Sequence, residues 1–567
     1  GPPAAMFLPA PAFVWLALLA ARAQAEHEAC TGSNVGFQPA QQCTRGTYDC
    51  AFCLDKTPKD ANGQCAAYSS PMANPEGEVW IVMLGALVGM TMAFGIGGND
   101  AANSWGTSVG SGAIGLRNAC LLGGAAEFLG ATLLGAGVSS KIQKGVAKAT
   151  DPDCWACGFC DSNMAMYQFG MFGALCGAAL FLLAVTFFSM PVSTTHAIVG
   201  GVVGMTVTAT DWGCLNWTMK GLTGIIVSWV ASPVCAGVVA VVVYLVTFFG
   251  VFRAARPQRA ALVMVPVLYG VATATMVFLT LKKASVTKKA MKDWQRGLIA
   301  AGLTVLVPLV VHFAFMKKVE AEMQALEADL NAYGEAGQAV DAVPEPRGEP
   351  DSKVAASTYG RASAAEPGPR REHVGGQEED RGMTLFQPSE PTIEQKVAKK
   401  AFQNLLVFTA LVESFAHGAN DTANATGPFG AIWSTYNKGV YACSGEATPW
   451  YIMAIAGLCV AAGVNVMGRR VIRTMGQELI DVDYHIGFCT EFASGFAVVC
   501  ATFMGMPVST THCQVGAVVF VGALARGPRN VSWRMFGRIV VTWVATLPAA
   551  GLISAYVTFV RFPHIEK

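Results

Sequence analysis

The chain has 567 residues, 53% of them hydrophobic and only 14% charged, with 61 glycines and a net charge of +1. Soluble proteins carry about 25% charge, so this balance excludes an ordinary soluble protein and predicts a polytopic membrane protein. The net charge says nothing about partners beyond a lipid bilayer, and no nucleic acid is expected.

In chain order, residues 6–25 have a short apolar core ending in Ala23-x-Ala25, which reads as a secretory signal peptide over 1–25. The usual basic start is missing, and an apolar tail is the alternative. Residues 26–79 form a polar segment with Cys30, Cys43, Cys50, Cys53 and Cys65. Apolar stretches near the ~20-residue bilayer requirement then recur at 80–97, 119–138, 166–189, 221–250, 262–281, 297–316, 403–416, 450–467, 486–505 and 536–560. With broken or re-entrant pieces they predict about ten to twelve crossings.

A second polar loop, 139–165, holds Cys154, Cys157 and Cys160. If 80–97 and 119–138 both cross, this loop and 26–79 share one side. Their cysteines are then expected to pair in an oxidising compartment. The rival is zinc, because Cys50-x-x-Cys53 and Cys154-x-x-Cys157 have ligand spacing. Seven further cysteines lie within apolar spans and read as packing residues.

The membrane part divides into repeat one (80–316) and repeat two (401–567), separated by a hydrophilic loop, 317–400. That loop is too poor in apolar residues to fold alone and reads as disordered and cytosolic, with its first part, 317–333, a helical extension of the preceding span. Matched landmarks establish the repeat. Asn99-Asp100-x-x-Asn103 corresponds to Asn420-Asp421-x-x-Asn424, and Gly130-x4-Gly135 to Gly463-x4-Gly468. Pro191–His196 corresponds to Pro507–His512, Trp217 to Trp533, and Trp229-Val-Ala to Trp543-Val-Ala. Transporters commonly invert such halves. Basic residues flank the 317–400 loop, and Arg253, Arg256 and Arg259 precede the span at 262, but basic residues also fill 282–296, which must face the other way if both adjacent spans cross. The loop is read as cytosolic, with the N-terminus extracellular. Sequons at Asn216 and Asn530 occupy equivalent places; inverted halves put them on opposite sides, and both read as incidental.

The two copies of Pro-Val-Ser-Thr-Thr-His carry the first piece of chemistry. Proline suits the start of a helix, and apolar residues stop before it and resume after it. Each copy therefore predicts a helix broken within the membrane, its N-terminal amides facing the gap. Such a terminus attracts anions. Ser193, Thr194, Thr195, Ser509, Thr510 and Thr511 add neutral hydroxyls, with no Lys or Arg in either motif. Neutral donors allow release, and hydroxyls can also accept from the P–OH of a protonated phosphate, which sulfate lacks. The bland alternative is that the hydroxyls only satisfy backbone groups around a proline kink.

The GIGGND and AHGAND clusters place glycine, amides and a carboxylate where an unwound helix would expose carbonyls. Such oxygens suit a hard cation such as Na⁺, with Asn99, Asp100, Asn103, Asn420, Asp421 and Asn424 as the candidate ligands. An intramembrane Asp costs about 2.5–3.5 kcal/mol on insertion scales, so Asp100 and Asp421 each need a cation, a proton or a partner. Cations that neutralise them allow an anion to approach, which is a physical route to symport. Two protonated aspartates bonded to neighbouring Asn are the alternative. Glu127 and Glu491 also lie within spans, at positions that do not mirror one another, and are candidates for gating or ion access. Glu413 is a third intramembrane acid. His196 and His512 are candidates for pH sensing or for orienting the broken helix.

Both complete motif pairs, GGNDAAN with PVSTTH and GANDTAN with PVSTTH, resemble the signature of the inorganic phosphate transporter (PiT) family. The resemblance covers 80–316 and 401–560. It implies an all-α fold of two inverted-topology repeats with broken or re-entrant helices, and a sodium- or proton-driven phosphate symporter that is usually a homodimer. On that resemblance the Ser and Thr residues above line the phosphate site and the Asn-Asp clusters hold sodium. Glu127 and Glu491 match acidic positions of eukaryotic members. Glu413 departs from the family pattern, as does the cysteine-rich segment. The expected function is import of inorganic phosphate coupled to sodium across the plasma membrane, an intracellular compartment membrane being the alternative, with no cofactor beyond the coupling ion. A proton-coupled or sulfate symporter is the first alternative, an intramembrane enzyme using Ser-x-x-His or a receptor using 26–79 more distant ones. An enzyme needs one site, whereas transport explains two.

Overall fold

In the computed structural model the described residues are 75–149, 151–155, 164–188, 190–283, 290–341, 391–438, 448–472 and 482–565. The proposed signal peptide, nearly all of 26–79, and Cys157 and Cys160 lie outside them. Helices account for nearly all the described residues; the sole strand-like pairing among them is a bridge between Ala147 and Leu215.

Repeat one contains α1 (Pro75–Gly110), α2 (Leu116–Leu134) with its continuation α3 (Ala136–Gly145), α4 (Met164–Phe187), α5 (Thr194–Ala209) and α6 (Leu222–Thr247). Two helices within 80–316 that have no counterpart in repeat two follow, α7 (Pro257–Lys283) and α8 (Asp293–Ala314), then the polar α9 (Met316–Asp341) and the short α10 (Ile393–Lys400). Repeat two contains α11 (Gln403–Lys438), α12 (Trp450–Gly463), α13 (Tyr484–Met504), α14 (Thr510–Arg526) and α15 (Trp533–Ile565).

Contacts at the helix ends show that the repeats are inverted. At one face a disulfide joins Cys154, just before α4, to Cys214, just after α5. Trp80 of α1 packs on Phe169 and Phe172 at the same face, and Gln168 donates to the Ile432 carbonyl near the end of α11. At the opposite face, Asp483, just before α13, meets Lys399 at 2.7 Å and Arg526, at the end of α14, at 3.4 Å. There Gln403 of α11 donates to the Ala113 carbonyl beyond α1, and Lys400 meets Glu322 of α9. So α4–α5 is a hairpin open at the disulfide face, and α13–α14 is a hairpin open at the face of the 317–400 loop. The sequons follow the same symmetry: Asn216 lies at the disulfide face and Asn530 at the other. Mirrored indole bonds, Trp217 to the Trp212 carbonyl and Trp533 to the Pro528 carbonyl, repeat even the loop detail.

Among the described residues eight helices are long and apolar enough to cross a membrane, or nine if α2 and α3, bent by 66°, form one span. This figure leaves out α11, which runs from face to face but carries its polar cluster at mid-length, and the short hairpin arms α5 and α14, the kind of broken pieces included in the ten to twelve expected from the sequence. Lipid-facing sides are apolar and exposed, as on α8 (Val305, Phe313) and α15 (Leu552, Phe559).

Three expectations change. The Asn-Asp clusters do not unwind their helices; α1 and α11 are continuous through 95–106 and 416–427. Their glycines instead let backbones touch. A Cβ on Gly97 would lie 2.0 Å from the Val460 carbonyl oxygen, and one on the mirrored Gly418 would lie 2.1 Å from that of Glu127. The matched Gly130 and Gly463 do the same against the Phe415 and Phe94 carbonyls, each at 1.9 Å. Small residues of this kind permit close helix crossings in membranes. Second, the 317–400 loop is helical at both ends: α9 runs to Asp341, past residue 333, and α10 begins with Thr392 and Gln395 capping each other reciprocally. Third, Cys154 pairs with Cys214, a partner from outside both cysteine-rich segments, with Cα atoms 5.5 Å apart.

Candidate functional site

Each PVSTTH motif is the turn of its hairpin, and each begins a helix as the proline pattern predicts. Ser193 caps α5 by accepting from the His196 amide at 3.2 Å, and Ser509 caps α14 from the His512 amide at the same distance. The first amides of both helices still lack an acceptor within the helix. The turns are held to the Asn-Asp helices of their own repeats. Asn99 accepts from the Val192 amide (3.0 Å) and donates to the Met190 carbonyl and the Thr186 hydroxyl (both 2.9 Å). Asn420 repeats all three bonds with Val508, Met506 and Thr502.

The carboxylates come next. Thr194 donates to Asp100 at 3.0 Å, and Thr510 to Asp421 at 2.6 Å. The second Asn of each cluster crosses to the other repeat. Asn103 donates to Thr511 (2.9 Å) and Thr510 (3.5 Å), while Asn424 donates to Thr194 (3.1 Å) and Thr195 (3.3 Å). The two turns also touch: Thr195 donates to the Val508 carbonyl at 3.0 Å, and Thr511 to the Val192 carbonyl at 3.4 Å. All twelve of these expected site residues, six hydroxyls and six Asn or Asp, are buried and form one cluster at the centre of the molecule. Serving as caps and cross-ties, the hydroxyls already have protein partners, so a ligand here exchanges bonds rather than filling free donors.

Sequence reasoning missed His417. Its Nδ1 lies 2.6 Å from Glu127, and its Nε2 lies 3.0 Å from Asp421 and 3.5 Å from Asp100. Three buried carboxyl groups thus converge on one imidazole, and Asp100, His417 and Asp421 offer ligand atoms within 4.8 Å of one another. The histidine is visible in AHGAND, but the mirrored residue in GIGGND is Ile96, so the matching of the two repeats does not single it out.

The residues named for gating separate. Glu127 belongs to the central cluster through His417. Glu491 does not; its carboxylate accepts from Thr107 and from Gln514 (3.1 Å). His196 and His512 meet each other, ring centroids 4.6 Å apart, and reach across the repeats to the Trp543 and Trp229 carbonyls at 3.3 and 3.0 Å. They anchor each hairpin to the matched Trp-Val-Ala segment and touch neither Asp100 nor Asp421.

Two inverted hairpins whose turns meet at buried carboxylates between membrane-spanning helices define an integral membrane transporter. The chain belongs to the phosphate transporter family, whose sequence pattern matches residues 96–554. It is 31% identical to inorganic phosphate transporter 2-1, chloroplastic, of Arabidopsis thaliana, over 84% of this chain and 71% of that one. It is 27% identical to sodium-dependent phosphate transporter 2 of Xenopus laevis, over 84% and 97%. A solved structure titled "The sodium-dependent phosphate transporter" shares 28% identity and superimposes with a TM-score of 0.67, covering 85% of this chain and 99% of that one. The protein is therefore a phosphate transporter and not an enzyme.

Proposed function

We propose that the protein is a secondary active symporter that imports inorganic phosphate with sodium. The observation that carries this reading is the meeting of the two hairpin turns at Asp100 and Asp421, each carboxylate bonded to a threonine of its own turn and each turn reached by an Asn of the other repeat. Two helix N-termini and six hydroxyls favour an oxyanion there. Asp100 and Asp421 oppose one until cations are bound, and their oxygens with those of Thr194 and Thr510 are the donors a hard cation takes. Phosphate thus binds only where sodium is bound with it. His417 supplies a counter-charge when protonated, which keeps the acids from repelling one another between cycles.

A Cys154–Cys214 disulfide is the kind of bond that persists in an oxidising compartment, and this supports the reading of a plasma-membrane protein with 26–79 outside and the 317–400 loop in the cytosol. A homodimer is part of the same reading. The test is phosphate uptake by purified protein in liposomes. An inward Na⁺ gradient at equal pH should accumulate phosphate, and an inward proton gradient without Na⁺ should not. Accumulation under the proton gradient alone would replace sodium with the proton as the driving ion.

A further inference from the structure

Glu413 and Glu491 stand apart from the Asp100–His417–Asp421 cluster, and each is fully buried. Glu491, Ser494 and Gly495 share one face of α13, and Glu413 of α11 packs on that face. A Cβ on Gly495 would lie 3.3 Å from the Glu413 Cβ. Glu491 lies one helical turn from Gly495 on that face, which sets its carboxyl group beside that of Glu413. Each has one oxygen served by donors: Ser494 bonds Oε1 of Glu413, and Thr107 and Gln514 bond Oε1 of Glu491. The second oxygens, Oε2 of Glu413 and Oε2 of Glu491, have no hydrogen-bond partner among the described residues. No Lys or Arg among those residues bonds either group. The other titratable groups facing the pair are His417 on α11 and Glu127 on α2, with the buried thiol of Cys513 on α14; α7 contributes only uncharged side chains there.

Two like charges this close, in a buried site, cannot both persist. A proton between the orphaned oxygens satisfies both at once, one as donor and one as acceptor, and leaves a single negative charge served by Thr107, Gln514 and Ser494. We propose that Glu413 and Glu491 bind one exchangeable proton between them, a second cation site separate from the phosphate centre. Glu491 also borders a narrow crevice between α7 and the α11–α13 pair, lined by Ala272, Thr275 and Val412, through which that proton can exchange. The site belongs to repeat two alone, since Met92 stands where Glu413 would have its mirror. Transport then loses a bound proton as pH rises, whatever ion drives it; the functional arm of the test rests on the phosphate-transport reading, the spectroscopic arm does not.

The first measurement is the infrared difference spectrum of purified wild type minus Glu413→Gln, at neutral pH with Na⁺ present, in H₂O and D₂O. The expected result is loss of one protonated-carboxyl carbonyl band that shifts in D₂O, because the amide introduced at position 413 donates to Glu491 and keeps it ionised. Glu491→Gln should remove the same band, which guards against one variant failing to fold. Loss of a carboxylate band instead, or an unchanged protonated band in both variants, overturns the shared proton. The second is Na⁺-driven phosphate uptake in liposomes against pH. Once the proton dissociates, the wild-type rate should fall by up to about tenfold per pH unit. Glu413→Gln should lack that slope in the same buffers, so that phosphate speciation cancels. Equal slopes overturn the proposal. Wild type that takes up no phosphate under a Na⁺ gradient defeats the sodium reading and leaves the infrared result standing.

Discussion

Replacing His417 with leucine should expose the electrostatic problem that this residue solves. Leucine keeps an apolar volume at a place whose mirror in repeat one is the buried Ile96, so the backbone of α11 has no reason to move. What is lost is the contact with Glu127 at 2.6 Å, with Asp421 at 3.0 Å and with Asp100 at 3.5 Å. Removing one partner of a buried ion pair costs about 3–5 kcal/mol, because the other charge is left uncompensated. That is a large share of a typical stability of about 5–15 kcal/mol. Thermal unfolding of the detergent-purified variant should therefore move well below wild type in choline buffer. Sodium should recover part of the difference by supplying a replacement cation. Adding Glu127→Gln removes the charge that lost its partner, so the double variant should be more stable than the sum of the single effects, by about 0.5–3 kcal/mol. If His417→Leu unfolds with wild type, or if the two effects simply add, the imidazole is not the counter-charge described above.

Three more outcomes follow from the same geometry. Asp100→Asn or Asp421→Asn should raise the Na⁺ concentration for half-maximal transport more than the phosphate constant measured at saturating Na⁺; unchanged Na⁺ dependence in either variant makes that Asp structural. On the proposed phosphate site, Thr195→Val and Thr511→Val should each remove a hydrogen bond to a charged ligand, worth about 1.5–3 kcal/mol, or about ten- to a hundred-fold in apparent phosphate affinity. The pair should be non-additive if both contact one phosphate, and normal phosphate constants in both variants would reduce the motif to helix architecture. At the face of the 317–400 loop, burial pushes the Asp483 carboxyl up, but Lys399 and the helix amide of Ile486 more than offset it, and the net position is below the usual 3.8. A depressed carboxyl stabilises the fold above its unfolded value and loses that contribution as pH falls below about 4. Asp483→Asn should remove that acid-side loss, and thermal unfolding scanned downward from pH 6 with an unchanged acid limb would contradict it.

The duplicated motifs made the repeat architecture and most of the centre legible, because prolines, hydroxyls and Asn-Asp pairs recur in equal order. PVSTTH announced its broken helices for a local reason, a proline and a serine cap at a helix start. The Asn-Asp segments misled for an equally local reason. Glycine beside polar residues suggests unwinding, but Gly97 and Gly418 are spent on crossings against Val460 and Glu127 of neighbouring helices, and no single segment contains its partner. Asymmetric features were hardest to read. His417 faces acids from α1 and α2 that are distant in sequence, and Glu413 was visible as a buried acid but not as the partner of Glu491. Cys214 likewise lay sixty residues from Cys154 with no motif to join them.

The claim that phosphate and sodium bind together is tested most directly by letting phosphate drive sodium. Liposomes containing the purified protein are loaded with equal Na⁺ inside and out, at equal pH and clamped voltage, and an inward phosphate gradient is imposed. The account predicts that tracer Na⁺ accumulates inside against no gradient of its own, and that Asp100→Asn abolishes the effect. Phosphate entry without Na⁺ accumulation would contradict it.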